Sequence, residues 1–429
     1  MGPPTSSTLV QGRGFGPTET VDIDFDRSPL ATATTDPSGA FQARIQIPAS
    51  SLPGRHQVQA TGESSGLTAQ APFIVNTDWA TFHFGPARTG FNPYENVLNP
   101  SNVSGLHPVW RFAAFESGSA SPAVSGGVVY LNAYNLYALD AATGAERWSV
   151  DVGAQTLSSP AVADGVVYVG VGSEVWALDA STGALLWSFY AGGAVDASPA
   201  VGNGVVYVPS LFDGHLWALD ALTGEVRWDL YTGTYERTVP AVAGGVVYWG
   251  SATGTFYALD AATGTTLWST PIYIAGLVGP AVVDGVVYVG GADGTVHALD
   301  AATGLQLWSY DTGAIDIGAS PAVANGVVYV APGTGTLTSL VALDAANGNL
   351  LWSSEVLGNR FRCSPVVANG VVYLAAPNKP LVALDASSGA TLWVYPHGGI
   401  AEYNSAAVAN GTLYMATSHG PNSVYAFRL

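Results

Sequence analysis

The sequence predicts an all-β chain: an eight-bladed β-propeller closed by an N-terminal strand, preceded by a small β-sandwich. Three observations lead there. First, eight short turns, among them Asp164-Gly165, Asn203-Gly204, Asp284-Gly285 and Asn325-Gly326, separate a Pro-Ala-Val-like run from a Val-Val-Tyr-like run. Asn-Gly and Asp-Gly between apolar runs signal a two-residue hairpin, because both central residues need positive φ. Second, the turns recur about every forty residues, the period of a blade of several strands. Third, residues 1–76 lack this repeat and alternate apolar with polar residues at period two, the mark of half-buried antiparallel strands.

Composition narrows the functional classes. At 429 residues, two domains are expected, one of them large. The net charge of −18, with Lys379 the single lysine, argues against nucleic acid or an anionic membrane surface as partner. One cysteine, Cys363, excludes an internal disulfide and any cysteine-built metal site; it is expected to be small and buried. No run approaches about 18 apolar residues, the length a membrane-spanning helix needs. The low charged fraction, 10%, leaves the surface to Ser, Thr, Asn and Gly, as in many secreted β proteins. The start, Met1-Gly-Pro-Pro4, reads as a boundary rather than a natural mature terminus.

The N-terminal segment holds the runs Thr20-Val-Asp-Ile-Asp-Phe25, Phe41-Gln-Ala-Arg-Ile-Gln-Ile47, His56-Gln-Val-Gln-Ala60 and Thr68-Ala-Gln-Ala-Pro-Phe-Ile-Val75, divided by Asp36-Pro-Ser-Gly39 and Leu52-Pro-Gly54. Its size suits a small sandwich. Asp22, Asp24 and Asp26 invite a calcium reading, but the sixth position of such a loop would be Arg27 and the twelfth Ala33. A solvated strand face is expected instead.

Each later repeat reads alike. The third strand ends in Asp140, Asp179, Asp220, Asp260, Asp300, Asp344 or Asp385, and a turn ends in Gly144, Gly183, Gly224, Gly264, Gly304, Gly348 or Gly389. The fourth strand then carries Trp148, Trp187, Trp228, Trp268, Trp308, Trp352 or Trp393. Asp at a strand end can accept hydrogen bonds from turn amides. A buried Trp removes much apolar area and can still bond its N–H. A catalytic residue is needed once and a fold residue once per repeat, so these carboxylates are read as structural. There are eight hairpins but seven such fourth strands. His107-Pro-Val-Trp-Arg-Phe112 matches the missing one, so this strand is expected to complete the last blade and close the ring, which removes open sheet edges. The predicted division is 1–76 sandwich, 77–104 linker and leader, and 105–429 propeller.

Two resemblances follow from these motifs. Gly12-Arg-Gly-Phe-Gly-Pro17, Asp36-Pro-Ser-Gly-Ala-Phe41 and Leu52-Pro-Gly-Arg-His56 resemble bacterial immunoglobulin-like surface domains, in which a further strand usually precedes the part matching Gly2-Pro-Pro-Thr5. The resemblance implies an immunoglobulin-like sandwich with an unpaired edge. The repeat Gly-Val-Val-Tyr-Val-Gly…Ala-Leu-Asp-Ala-x-Thr-Gly-x-x-x-Trp, with its leader Asp78-Trp-Ala-Thr-Phe-His-Phe-Gly-Pro-Ala-Arg-Thr-Gly90, resembles the pyrroloquinoline-quinone-like (PQQ-like) propeller repeat over roughly 78–429. That superfamily includes quinoprotein alcohol and sugar dehydrogenases, the B lipoprotein of the outer-membrane barrel-assembly machinery, and extracytoplasmic sensor domains. The dehydrogenases hold their quinone against a ring of two adjacent cysteines and carry long pocket-building insertions. This chain has one cysteine and nearly minimal blades.

Function is expected where the repeats deviate, in loops leading from a fourth strand to the next first strand around one channel mouth. Tyr235, Glu236 and Arg237 enter blade four, Arg360 and Arg362 blade seven, and Glu402 and Tyr403 blade eight; Asp196 and Asp316 sit comparably. Such arginines suit an acidic group or a partner peptide. His297, at a position held by Tyr137, Trp176, Trp217 and Tyr257 in the four preceding repeats, reads as a packed core residue, and His215 beside Asp213 as a solvated turn residue. The expectation is a non-enzymatic extracytoplasmic scaffold without cofactor, binding protein or glycan partners through the propeller faces and the sandwich edge. Two alternatives stand beside it: a PQQ- or metal-dependent oxidoreductase, and a self-assembling surface or filament subunit.

Overall fold

The computed structural model describes residues 1–113, 120–153, 157–233, 238–251, 253–274, 276, 278–333, 339–355, 357, 363–375, 381–396, 405–417 and 423–429. These residues form an all-β structure in two compact units, Met1–Asp78 with Tyr94–Val97 and Ala409–Gly411, and the remainder.

In the first unit a four-stranded antiparallel sheet runs in the order Ser28–Thr34, Thr20–Phe25, Gly54–Gly62, Thr68–Val75, and Ser7–Gly12 pairs with Phe41–Gln46. Alternation in Thr20–Phe25 buries Val21, Ile23 and Phe25 with Phe41, Ile45, Val58 and Phe73. Asp22 and Asp24 fall on the opposite, half-buried face. Asp26 instead turns the chain at φ 48° and accepts from the backbone N–H of Gln57 and from His56. The expected bare edge is partly covered. Gly2 donates to the Ile74 carbonyl and accepts from the Asn76 N–H, at 3.1 and 3.2 Å. Pro72, further along the same strand, has no N–H to offer a neighbour.

Among the described residues the second unit contains seven four-stranded antiparallel sheets and one to which Phe91–Asn92 adds a fifth, parallel strand beside Val366–Ala368. Seven of the eight use four consecutive strands; the first is Ala123–Ser125, Val128–Asn132, Asn135–Asp140 and Glu146–Asp151. The eighth joins Ala407–Ala409, Thr412–Thr417 and Ser423–Arg428 to His107–Ala113, with Ala426 opposite Trp110. The strand near residue 110 therefore docks where the missing repeat strand was expected. The hairpin residues have the positive φ their type demands, 53° at Asn203 and 73° at Gly204.

Neighbouring sheets are bolted together by a recurring set of bonds. The Trp148 indole N–H donates to the Ala180 carbonyl of the next sheet at 3.1 Å, and the Tyr130 hydroxyl donates to the same oxygen at 3.0 Å. The pattern repeats at Ala221, Ala261, Ala301, Ala345 and Ala386. Trp110 closes the eighth sheet onto the first through Ala141, and Trp393 bonds the Leu106 carbonyl. Every one of these Trp except Trp393 lies on the turn glycine of the following repeat, so that glycine is needed for space as well as for φ: a Cβ on Gly304 would come within 2.6 Å of the Trp268 ring. The repeated Asp holds the turn. Asp140 Oδ1 accepts from the Ala142 and Thr143 N–H groups and the Thr143 hydroxyl. The Arg147 guanidinium, then Thr143, holds its carboxyl down at about 2.

A second series of bonds spans most, but not all, of the sheets, beginning with the Gly279 N–H donating to the Ser320 hydroxyl and ending at Ser198. The N–H of Ser121 donates to the Ser159 hydroxyl, Ser159 N–H to Ser198, Ser320 N–H to Ser364, Ser364 N–H to Ser405, and Ser405 N–H back to Ser121, all within 2.8–3.0 Å.

Two outcomes test this construction. Deleting 105–113 removes the outer strand of the eighth sheet and is expected to lower the melting temperature markedly; an unchanged melt would mean that closure contributes nothing. Gly304→Ala places a methyl group against Trp268 in a left-handed backbone, and chemical denaturation should show a loss of about 1–3 kcal/mol.

Candidate functional site

The connections from one sheet's fourth strand to the next sheet's first strand were expected to carry the binding residues. Of these, Tyr235, Glu236, Arg237, Arg360, Arg362, Glu402 and Tyr403 lie outside the described residues. Asp196 and Asp316 are described and half-buried, each one residue from a fully buried anchor, Val195 and Ile317. The Asp316 carbonyl accepts from the Gly333 N–H at 2.8 Å. Val195 and Ile317 are the equivalent residues, each donating its N–H to a glycine carbonyl of the loop between second and third strands, so Asp196 follows its anchor while Asp316 precedes it.

The geometry adds a feature the sequence reading passed over. The leader Trp79–Pro93 circles the inner edges of the sheets instead of linking elements loosely. Trp79 exchanges both backbone bonds with Val124, and the carbonyls of Ala80, Pro86, Ala87, Thr89 and Gly90 accept in turn from the N–H groups of Val162, Val242, Val282, Val323 and Val367. The Asn92 amide donates to the Val408 carbonyl. The innermost strands thus find a partner for edges that an empty channel would leave to water.

Within this circuit His83 and Arg88 point inward, both in left-handed backbone at φ 60° and 57°. Arg88 is 1% exposed. Its guanidinium donates to four carbonyls, those of Phe82, Ser198, Pro199 and Pro240, and lies 5.5 Å from the Phe82 ring centre. Burial pushes its pKa down to about 9, so it remains charged near neutrality. His83 is likewise buried, with Nδ1 at 3.1 Å from the Arg88 carbonyl and Nε2 at 3.0 Å from that of Pro365. Burial lowers it to about 4 against the pull of the two carbonyls, so the ring is neutral at pH 7. Arg88 reaches toward the third and fourth sheets and His83 toward the seventh. Their side chains span the axis between them.

Two expected roles change. His297 is half-buried with Nδ1 3.0 Å from Gln306 Oε1, at the fringe of its sheet and not in the core. His215 opens the strand His215–Asp220 and pairs with Asp229 at 2.8 Å, stacked 4.6 Å from Trp217. A packed, paired histidine replaces the expected solvated one, because a strand register invisible in sequence sets Trp217 opposite Asp229. Cys363 is fully buried, as expected. Among the described residues no three His, Cys, Asp or Glu side chains gather as metal ligands.

This repeated sheet, bolted to its neighbour through Ala carbonyls, defines a β-propeller of PQQ-like repeats. A family profile described as outer membrane protein assembly factor BamB matches residues 104–238 and 232–429, and the chain belongs to that family. Over 83 residues, 17% of the chain, it is 45% identical to the serine/threonine-protein kinase AfsK of Streptomyces griseus, a stretch amounting to 10% of the kinase. The fold is similar to a europium-containing methanol dehydrogenase (TM-score 0.71, 16% identity, 82% of this chain and 98% of that one). It is also similar to the quinohemoprotein alcohol dehydrogenase of Comamonas testosteroni (0.67, 17%, 82% and 80%). BamB from Moraxella catarrhalis aligns at 0.65 and 20% identity, over 76% of this chain and 100% of that one. At such identities the likeness concerns the fold alone.

The buried histidine gives a pH signature. A base whose folded value is depressed contributes full stability above its ordinary range and loses it as pH falls, here from about 6.5 toward about 4. His83→Asn keeps a residue tolerant of positive φ. The stability difference between wild type and this variant should shrink across that window in denaturant titrations, while a constant difference would contradict a neutral buried ring.

Proposed function

We propose that the protein is a non-enzymatic extracytoplasmic scaffold. In this reading an eight-bladed propeller (105–429) and an immunoglobulin-like module (1–76) present rigid surfaces to protein or glycan partners. The observation that carries it is the filled axis. Trp79–Pro93 bonds to the innermost strands, and the side chains of His83 and Arg88 reach across to carbonyls of the third, fourth and seventh sheets. A ring closed by Trp and Tyr on neighbouring carbonyls, and braced over part of its circumference by serine hydroxyls, makes a stiff platform whose variation is confined to loops.

Described residues do not fit a quinone cofactor. His83 and Arg88 bond to inner-edge carbonyls of the third, fourth and seventh sheets, and the single cysteine is fully buried rather than one of an adjacent pair. The family description, an outer-membrane assembly factor, accords with an extracytoplasmic scaffold that works by holding other proteins. The loop arginines Arg237, Arg360 and Arg362, with Glu236, Glu402, Tyr235, Tyr403, Asp196 and Asp316, are the residues proposed to meet the partner at the mouth.

Two measurements decide the matter. Partners retained from native envelope by the wild-type chain should be lost or strongly reduced with Arg237→Ala combined with Arg360→Ala; identical capture would remove the mouth from the proposal. With added pyrroloquinoline quinone and calcium, no dye-linked oxidation of alcohols or sugars is expected, and turnover above background would overturn the scaffold reading.

A further inference from the structure

The loop joining second and third strands of the third sheet differs from those of the two sheets that follow it. The fourth sheet has Ser251-Ala-Thr-Gly254 and the fifth Gly291-Ala-Asp-Gly294, but the third has Ser210-Leu-Phe-Asp-Gly214, one residue longer. Leu211 is buried, its N–H donating to the Ala194 carbonyl at 2.7 Å, and Ser210 N–H closes the loop onto the His215 carbonyl at 2.8 Å. Phe212 is left facing out. It is 62% exposed and sits in left-handed backbone at φ 70°. A bulky side chain is strained there, whereas glycine would adopt this backbone freely. Backbone strain of this kind, held in place by well-bonded surroundings, points to a function for the residue.

The neighbourhood supplies the function's chemistry. Tyr231 ends the fourth strand of the same sheet, 64% exposed, and its ring centre is 4.9 Å from His215, its register partner. Tyr190 ends the corresponding strand of the second sheet, 68% exposed. The Trp217 indole N–H, bonded to the Ala191 carbonyl at 3.3 Å, ties that strand end to the third sheet. Asp213 follows Phe212 and lies against Gly192, two residues past Tyr190. His215 is oriented by Asp229. Phe212, Asp213 and His215 of this loop, the Tyr231 and Asp229 side chains beside His215, and the strand end of Tyr190 near Asp213 therefore bring exposed aromatic rings, carboxylates and an imidazole to this end of the third sheet.

We infer that this rim of the third sheet binds a neutral saccharide. A sugar ring has an apolar face of C–H groups and a girdle of hydroxyls. Aromatic faces at Tyr190, Phe212 and Tyr231 take the first, while Asp213, Asp229 and His215 bond the second. A purely apolar partner would strip water from the acid–imidazole pair without replacing its hydrogen bonds. An anionic polymer would be repelled by the two carboxylates and by the net charge of −18. The inference deepens the proposed binding role by naming a ligand class, and it is independent of the loop arginines, so the envelope experiment can fail while this site stands.

The test is calorimetric titration of the full chain with maltohexaose, cellohexaose and chitohexaose (N-acetylated), with choline as a cation that aromatic rings also attract. At least one hexaose is expected to bind, and its affinity should fall at least tenfold in Tyr231→Ala and in Phe212→Gly. Phe212→Gly should melt no earlier than wild type, since glycine relieves the strain. Absence of binding to all three sugars, equal affinity in both variants, or choline binding more tightly than any hexaose would each overturn the proposal.

Discussion

One peptide group in each repeat carries the architecture, the alanine that follows the repeated aspartate. Its N–H bonds to the glycine carbonyl of the hairpin in its own sheet, as Ala180 does to Gly165 at 2.9 Å. Its carbonyl accepts from both the Trp and the Tyr of the sheet before it. The aspartate fixes the turn that aims this group, the glycine clears space for the indole, and the tyrosine hydroxyl is drawn to the same oxygen. Remove the alanine's orientation and four otherwise unrelated residue preferences lose their reason. A single neutral hydrogen bond contributes only about 1 kcal/mol net. Repetition around a closed circuit, where no sheet can leave without breaking bonds on both sides, makes the arrangement rigid.

The axis obeys the opposite logic. There the chain buries a charged guanidinium with four carbonyl acceptors around it and a neutral imidazole beside it. Buried polar groups are tolerated when hydrogen-bonded and costly otherwise, and the inner ends of eight sheets offer an unusual density of carbonyls. Arg88 meets that supply from one side chain. This is a polar core, specified by donor and acceptor positions, inside a molecule otherwise held by Val, Leu, Ala and aromatic packing.

Much of this was legible in the sequence because repetition turns weak local signals into strong ones. A single Asn-Gly is a hint; eight hairpins, with Asp, Gly and Trp at fixed offsets, leave few architectures standing. The eightfold hairpins against sevenfold tryptophans pointed to His107–Ala113 as the completing strand, and it pairs with Ser423–Arg428. The leader was opaque for the matching reason. It occurs once, it has no period, and its bonds reach partners from 124 to 408, so nothing within Trp79–Pro93 announces that its carbonyls face a ring of valines. The serine before each Pro-Ala-Val run carries no local signal of its role, since its bonding partner lies in a neighbouring sheet. His215 was misjudged because register decides what a side chain meets.

The composite sheet also constrains how the molecule comes into being. Arg111 and its hydrogen-bond partner Ser423 are 312 residues apart in sequence. During synthesis, which runs from the N-terminus, the strand His107–Ala113 emerges early and waits, its edge open, until almost the whole ring has been translated. Contacts this distant in sequence form slowly. The nascent chain must pass through a long interval as an incomplete arc with an adhesive strand at each end, during which shielding of that first strand decides between closure and pairing with another molecule.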